Sequence, residues 1–357
     1  MSGLPAARTK EYNCTRMRIS DFDYHLPEER IAQFPPKVRG QTRLLTLNRK
    51  TGAIEHKRYP AMIDYLEAGD VVVLNNTKVI KARLIAHTAD NKPRELLLTE
   101  SHGHDDVHRH QAIYRGSLHP GEVVHVGDTA ITIDEMLDGG LVMISSQTNL
   151  LELAEQRGAV PLPPYMKRQA TKEDQERYQT TFAKTAGSVA APTASLNFTE
   201  ELAAALTAKG VQIVYLTLHV GLGTFLPIRS DSIEDHIMHS EYYSIPAATV
   251  EAIQVAKQAG RKICAVGTTV ARTLEYTHQE LLHEPPHHLS GEANIFMYPG
   301  YKLKVIDLLL TNFHAPRSTV LMLAAAFAGW DNLLHAYKVA LAEEYNFLSY
   351  GDSMLIY

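Results

Sequence analysis

The sequence predicts an α/β fold: an α/β domain with an inserted all-β barrel domain. Two textures predict it. Residues 67–150 run as closely spaced short strands, VVVLNNTKVIKARLIA, RELLLTES, HQAIYRG, EVVHV, AITI and LVMISS, separated by Gly, Asp, Asn and Pro. Such spacing points to a small barrel or sandwich. From residue 151 onward strands and helices alternate, as in a layered α/β architecture. The expected organisation is a disordered extension over 1–16, a discontinuous α/β catalytic domain over 17–66 and 158–357, and the barrel over 67–157.

The elements follow in order. Residues 17–66 are mixed in pattern, with Phe34-Pro35-Pro36 as punctuation. After the strand block, NLLELAEQRG reads as a helix capped by Asn149 and stopped at Gly158. TEELAAALTAKG has Thr199 as N-cap, two glutamates in its first turn and Gly210 at its end. It leads into VQIVYLTLHVG, whose near-continuous apolar run reads as a buried strand. AATVEAIQVAKQAG is a helix, KICAVG a strand, and a further helix opens at Thr268-Thr269. KLKVIDLLLTNF, STVLMLAAAFAG and DNLLHAYKVALAEEY repeat the scheme as strand, helix and helix.

Composition narrows the function classes. The chain has 357 residues, 45% of them hydrophobic, enough for a large core, and 21% charged, which speaks against disorder. A net charge of -5 means that any nucleic-acid site must be a local basic patch. Two distant cysteines, Cys14 and Cys264, exclude a disulfide framework and a cysteine-built zinc site, and they fit a reducing, cytoplasmic compartment. The longest apolar run, over 320–328, falls short of the roughly 20 residues that span a bilayer. The opening MSGLPAARTKEYNCTR lacks the apolar stretch of a signal peptide and reads as a polar extension or an over-called start upstream of Met17.

Several segments carry chemistry-bearing residues. GSVAAPTASLNFT (187–199) is rich in small residues and ends at a helix N-terminus, where free N–H groups attract anions. LHVGLGTF (218–225) closes a buried strand; its Gly-x-Gly is followed by FLPIRS rather than a helix, so a Rossmann loop is a poor reading. His236, His239 and Glu241 could be read as metal ligands, but the spacing is not helical and an acid/base or hydrogen-bonding role fits better. AVGTTVARTLE (265–275) is a strand, tight turn and helix start that suits an anion, with Arg272 inside it. GEANIF (291–296) and TNFH (311–314) place polar groups near strand ends. PPYMKR (163–168) and RYQ (177–179) combine cations with aromatics, as binding to phosphates and unstacked bases would need. His102, His104, His108 and His110 read as a polar hairpin loop in preference to a metal site.

These segments, taken in order, resemble the S-adenosylmethionine:tRNA ribosyltransferase-isomerase family of the queuosine pathway. The likeness starts at MRISDFDYHLPEERIAQ and runs through RLLTLNRKTG, GDVVVLNNTKVIKARL, LPPYMKR, ERYQTTFA, GSVAAPTASLNFTEEL and LHVGLGTFLPI. It continues with HSEYY, AVGTTVARTLE, GEANIFMYPGY, LLLTNFHAPRSTVLMLAAAFAG and FLSYGDSMLIY. The resemblance implies an α/β domain with a barrel inserted near the N-terminus. It also implies transfer and isomerisation of the donor's ribosyl group onto 7-aminomethyl-7-deazaguanine in tRNA, giving epoxyqueuosine and releasing adenine and methionine. No metal or other cofactor is implied, because the sulfonium charge acidifies the neighbouring ribose carbon. S-adenosylmethionine is consumed as a substrate, tRNA with a modified wobble base is the other partner, no membrane is involved, and the chain is expected to be a monomer.

In that reading His219, His239 and Glu241 transfer protons, Arg168 and Arg272 hold anions, and Asn312 with His314 orients the donor. Tyr178, Gln179, Ser188, Ala190, Pro192, Thr193, Asn197, Gly221, Gly223, Thr224, Phe225, Thr268 and Asn294 complete the expected substrate-binding set. The chain departs from the family pattern at Ser195, where a Gly is usual, and at Asn197, where a His is usual. An Asn can replace an imidazole's hydrogen bonds but cannot titrate. A paralogous enzyme with another acceptor and a tRNA-binding member without catalysis are the alternatives.

Overall fold

The computed structural model describes residues 17–99, 106–221 and 231–357. The 1–16 extension, His102, His104, Gly223, Thr224 and Phe225 lie outside the described residues.

In chain order the first strands are β1 (Arg43–Leu47), β2 (Ile54–Arg58), β3 (Val71–Asn75) and β4 (Thr77–Val79). Then come β5 (Arg83–His87), β6 (Pro93–Leu98), β7 (Arg109–Arg115), β8 (Val123–Val126), β9 (Thr129–Leu137) and β10 (Leu141–Ser145). Helices α1 (Leu150–Arg157) and α2 (Lys172–Arg177) precede β11 (Thr185–Ser188), α3 (Glu200–Ala208), β12 (Gln212–Leu218) and β13 (Glu241–Ile245). The rest is α4 (Ala247–Gln258), β14 (Ile263–Val266), α5 (Thr268–Tyr276), α6 (His278–His283), β15 (Leu289–Ala293), β16 (Leu308–Asn312), α7 (Thr319–Ala328), α8 (Trp330–Ala342) and β17 (Ser353–Ile356).

Nine strands form one sheet in the order β15-β13-β12-β3-β14-β16-β17-β1-β2. Its centre, β12, β3, β14 and β16, is parallel. Alternate residues of these strands face opposite sides. Val71, Val73, Ile263, Ala265 and Leu309 enter a core with α4, α5, α7 and α8, while Val72, Leu74, Cys264, Val266, Leu308 and Leu310 enter a second core with Tyr59, Met62, Leu202 and Leu206. Burial on both faces is why these strands are continuous apolar runs rather than alternating ones. The Cys264 thiol lies in the second core, where burial pushes it up to about 12.

A separate closed barrel, β10-β7-β6-β5-β8-β9, is antiparallel throughout. Leu84, Ala86, Leu96, Leu98, Val124, Ile131, Ile133, Val142 and Ile144 fill it, and Leu150, Leu153 and Ala154 of α1 pack against that core. Closure removes the exposed strand edges that would otherwise template pairing between chains. The capping of α1 by Asn149 and of α3 by Thr199 follows the sequence pattern.

The strand block divides differently from its texture. VVVLN is not part of the barrel: it is β3, at the heart of the large sheet, and TKV pairs with β11. All five residues of β3 are buried, the mark of a central parallel strand, so its position in a strand-rich stretch is misleading. The barrel's own strands begin at Arg83. The chain leaves α1 at Gly158, where a Cβ would lie 2.0 Å from the Lys81 carbonyl oxygen, and Ala159 bridges to Arg83.

Candidate active site

The parallel strands carry their polar residues at their carboxyl ends, where open α/β sheets place ligands. At the end of β3, Asn75 donates to the Leu218 carbonyl at 3.0 Å and accepts from the Leu218 and Thr77 N–H groups, lashing β3 to β12. β14 turns into α5 at Gly267, whose φ of 100° is open to glycine and strained for other residues. The turn brings the α5 N-terminus against Ala194, 3.7 Å from where a Gly267 Cβ would stand. β16 ends in Thr311 and Asn312, and Asn312 accepts from the Thr193 hydroxyl at 2.8 Å.

These ends surround a cavity of about 1540 Å³. Ala190, Pro192, Thr193 and Ala194 form one wall, Gly267 to Thr269 a second, Thr311 to Val320 a third, and Tyr165, Tyr178 and Ser349 close a side. The N-termini of α5 and α7, the latter capped by Ser318, thus meet one space. Residues 18–21 of the chain also line it, together with Val220, Asp231 and Ser232.

Of the residues expected from sequence, Tyr178, Ala190, Pro192, Thr193, Thr268, Asn312 and His314 share this cavity. His314 is half-buried there, and desolvation pushes its imidazole down to about 3, so it is neutral. The others have different surroundings. His219 is buried, 2.8 Å through Nδ1 from the Thr77 hydroxyl and stacked on Tyr242. Glu241 is buried against Arg272 at 2.7 Å and accepts the Gly221 N–H at 3.1 Å. Each charge answers the other, which draws Arg272 away from an anionic ligand.

Arg168 makes a two-pronged contact with buried Asp174, at 2.6 and 2.8 Å, and lies over the Phe34 ring. Gln179 pairs both ways with the Val79 backbone, and the Ser188 hydroxyl donates to the Ala190 carbonyl while accepting the Val220 N–H. Ser188 thus braces Ala190 and Val220 of the wall, while Arg168 and Gln179 do not line the cavity. His239 and Asn294 are exposed and do not line the cavity. Among the described residues, no group of three His, Cys, Asp or Glu side chains could hold a metal ion.

Asn197 lines a different and smaller groove, with Arg39, Gly40 and Thr199, and accepts the Gly40 N–H at 3.2 Å. Asn197→His is therefore expected to change turnover by less than about twofold, since an imidazole can accept the same bond. A large gain in steady-state rate would overturn that expectation.

Sequence reading missed Arg18, Asp21, Asp231 and Arg317, all of which line the cavity. Arg317 is paired with Asp23, whereas the Arg18 guanidinium has no acidic partner among the described residues. RISDF reads as ordinary mixed sequence, and only folding brings it to the strand ends. The signal available was its place at the head of a likeness that starts at Met17 and covers most of the chain outside the barrel strands.

A family described as queuosine biosynthesis protein matches residues 19–356. The chain belongs to this family. Its relatives include the S-adenosylmethionine:tRNA ribosyltransferase-isomerase of Chlorobium chlorochromatii, 53% identical over 95% of this chain and 100% of the relative. The enzyme of the same name from Desulfitobacterium hafniense is 44% identical, with coverage of 95% and 100%. A crystal structure of S-adenosylmethionine tRNA ribosyltransferase from Thermotoga maritima matches with a TM-score of 0.55 and 34% identity, covering 94% of this chain and 100% of that one.

Proposed function

We infer that this chain is an S-adenosylmethionine:tRNA ribosyltransferase-isomerase. It transfers the ribosyl group of S-adenosylmethionine to 7-aminomethyl-7-deazaguanine in tRNA and rearranges it to epoxyqueuosine, releasing adenine and methionine. The observation that carries this is family membership over residues 19–356, with relatives of that name matched along their whole length.

The cavity supports the same reading. Its volume of about 1540 Å³ exceeds the roughly 300–1,000 Å³ of a pocket for one small ligand, leaving room for a nucleoside donor and an extruded base. Small side chains at Ala190, Ala191 and Ala194 let the donor approach the backbone, and Thr193, Thr268 and Asn312 offer it hydrogen bonds. Arg18 is the cation placed for the donor's carboxylate. The reaction needs a base for the ribose proton that the sulfonium acidifies. Asp21 and Asp231 are the carboxylates at hand in the cavity, while His219 and Glu241 brace its wall. The partners are S-adenosylmethionine and tRNA, and the proposal requires no further cofactor. Among the described residues no helix is long and apolar enough to cross a membrane.

Purified protein given S-adenosylmethionine and tRNA bearing the aminomethyl-deazaguanine should release adenine over many turnovers and yield epoxyqueuosine in the tRNA. Neither product appearing would sink the assignment. Adenine released with another acceptor but not with tRNA would mean a different substrate.

A further inference from the structure

The hydrogen bonds around His314 go beyond what burying one imidazole requires. Its N–H donates to the Tyr337 hydroxyl at 2.9 Å, and its carbonyl accepts from the Tyr24 hydroxyl. The two phenol rings meet edge to face with centroids 5.2 Å apart, and burial keeps both hydroxyls protonated. The side chain is held separately: Nε2 lies 2.9 Å from the Thr311 hydroxyl. Tyr24 in a loop near the start of the described chain, Thr311 of β16 and Tyr337 of α8 thus fix this one residue of the cavity wall.

The Thr311 hydroxyl decides the tautomer. Thr311 is 1% exposed, and among the described residues its hydroxyl has the His314 ring as its partner. If Nε2 carried the proton, the hydroxyl would accept and its own hydrogen would have no acceptor among the described residues, at the cost of an unmade hydrogen bond. The satisfied arrangement has the hydroxyl donating to a bare Nε2, which puts the ring proton on Nδ1. Nδ1 has no partner among the described residues and is not among the buried polar atoms left without one, so it meets accessible space. His314 lines the cavity, and that cavity is the space available.

We propose that His314 is a neutral hydrogen-bond donor, presenting Nδ1–H to an acceptor atom on the ribose or purine of the bound donor substrate. Thr311 sets its tautomer, and Tyr24 and Tyr337 are positioning residues that hold its backbone. His314 is thereby a binding group and not the base that removes the ribose proton. A neutral imidazole donates more weakly than a cation but stays fixed in charge and direction as pH changes. Ser318, the N-cap of α7, lines the same cavity, and the positive end of a helix dipole there also disfavours the imidazolium. This inference rests on the cavity being the site of S-adenosylmethionine.

Two measurements test it on the full chain. Long-range 15N–1H correlation of 15N-histidine-labelled protein, with the His314 signals assigned as those missing from a His314→Asn sample, should show a protonated Nδ1 and a bare Nε2 from pH 8 to pH 5. An Nε2–H tautomer, or titration in that range, overturns the proposal. Binding of radiolabelled S-adenosylmethionine is then compared across variants by equilibrium dialysis. His314→Ala should weaken it about 10- to 100-fold. His314→Asn, whose amide N can take the place of Nδ1, should stay within about fivefold of wild type, while His314→Gln, whose amide reaches the Nε2 position, should resemble alanine. Rescue by Gln and not by Asn would reverse the assignment. Wild type that binds the donor with this pattern but never turns over sinks the enzymatic reading and leaves this one standing; wild type that does not bind the donor sinks both. The tautomer of the wild type is readable even if a variant fails to fold.

Discussion

Asp174→Ala is expected to lower the free energy of unfolding by about 3–5 kcal/mol, the usual cost of removing one partner from a buried ion pair. The carboxylate is fully buried and accepts five hydrogen bonds: two from Arg168, the Thr171 N–H at 2.7 Å, the Thr171 hydroxyl at 2.9 Å and the Tyr350 hydroxyl at 2.8 Å. Removing it strands Arg168, whose side chain is only 15% exposed. The loss reaches the cavity, because Tyr350 adjoins Ser349, which shares a 2.5 Å hydrogen bond with Tyr165, and both of these line it. Adenine release should therefore fall with stability. Burial raises the Asp174 carboxyl, but Arg168, Thr171 and Tyr350 together outweigh it and hold the group well below the usual carboxylate range. A carboxyl depressed in the folded state stabilises above its unfolded value of about 3.9 and loses that contribution as pH falls toward the folded one. The stability gap between wild type and Asp174→Asn should hence be constant above about pH 5 and shrink below about pH 4, as urea unfolding would show. A gap that widened in acid would contradict this account.

How much of this was legible in the sequence can be judged residue by residue. Six of the helices were, and α1 and α3 carry their own punctuation, Asn149 and Gly158, Thr199 and Gly210; the short α2 and α6, six residues each, lack an apolar period long enough to read. β3 was assigned to its neighbours, because five apolar residues in a row look alike in a barrel and in a parallel sheet, and only the strands that pair with them tell the two apart. At the site, small-residue and threonine-rich turns identified three walls of the cavity. Charged residues were harder. Arg168, Glu241 and Arg272 stand out in one dimension as free charges near motifs, yet each is answered by a residue distant in sequence or hidden by spacing. Arg18 and Asp21 stand out in no motif and still reach the cavity. Sequence shows which residues can carry charge, and folding decides which charges remain available to a ligand.

The Glu241–Arg272 pair turns that distinction into an experiment. Its side chains are 3% and 9% exposed, 2.7 Å apart, and join β13 to α5 beneath the cavity. Glu241→Gln leaves a buried guanidinium with no countercharge and is expected to cost about 3–5 kcal/mol by urea unfolding. The double replacement Glu241→Leu with Arg272→Met removes both charges at similar volume and should recover most of that loss, because two desolvation penalties go with the attraction. Activity should not recover in step. Glu241 also accepts the Gly221 N–H, next to Val220 in the cavity wall, and leucine cannot. The double variant is thus expected to melt near wild type while releasing adenine about 10-fold or more slowly, the loss that one unmade buried hydrogen bond can bring. If Glu241 were instead the proton-transferring base, Glu241→Gln and the double variant would be equally inactive, however much stability the second replacement restores.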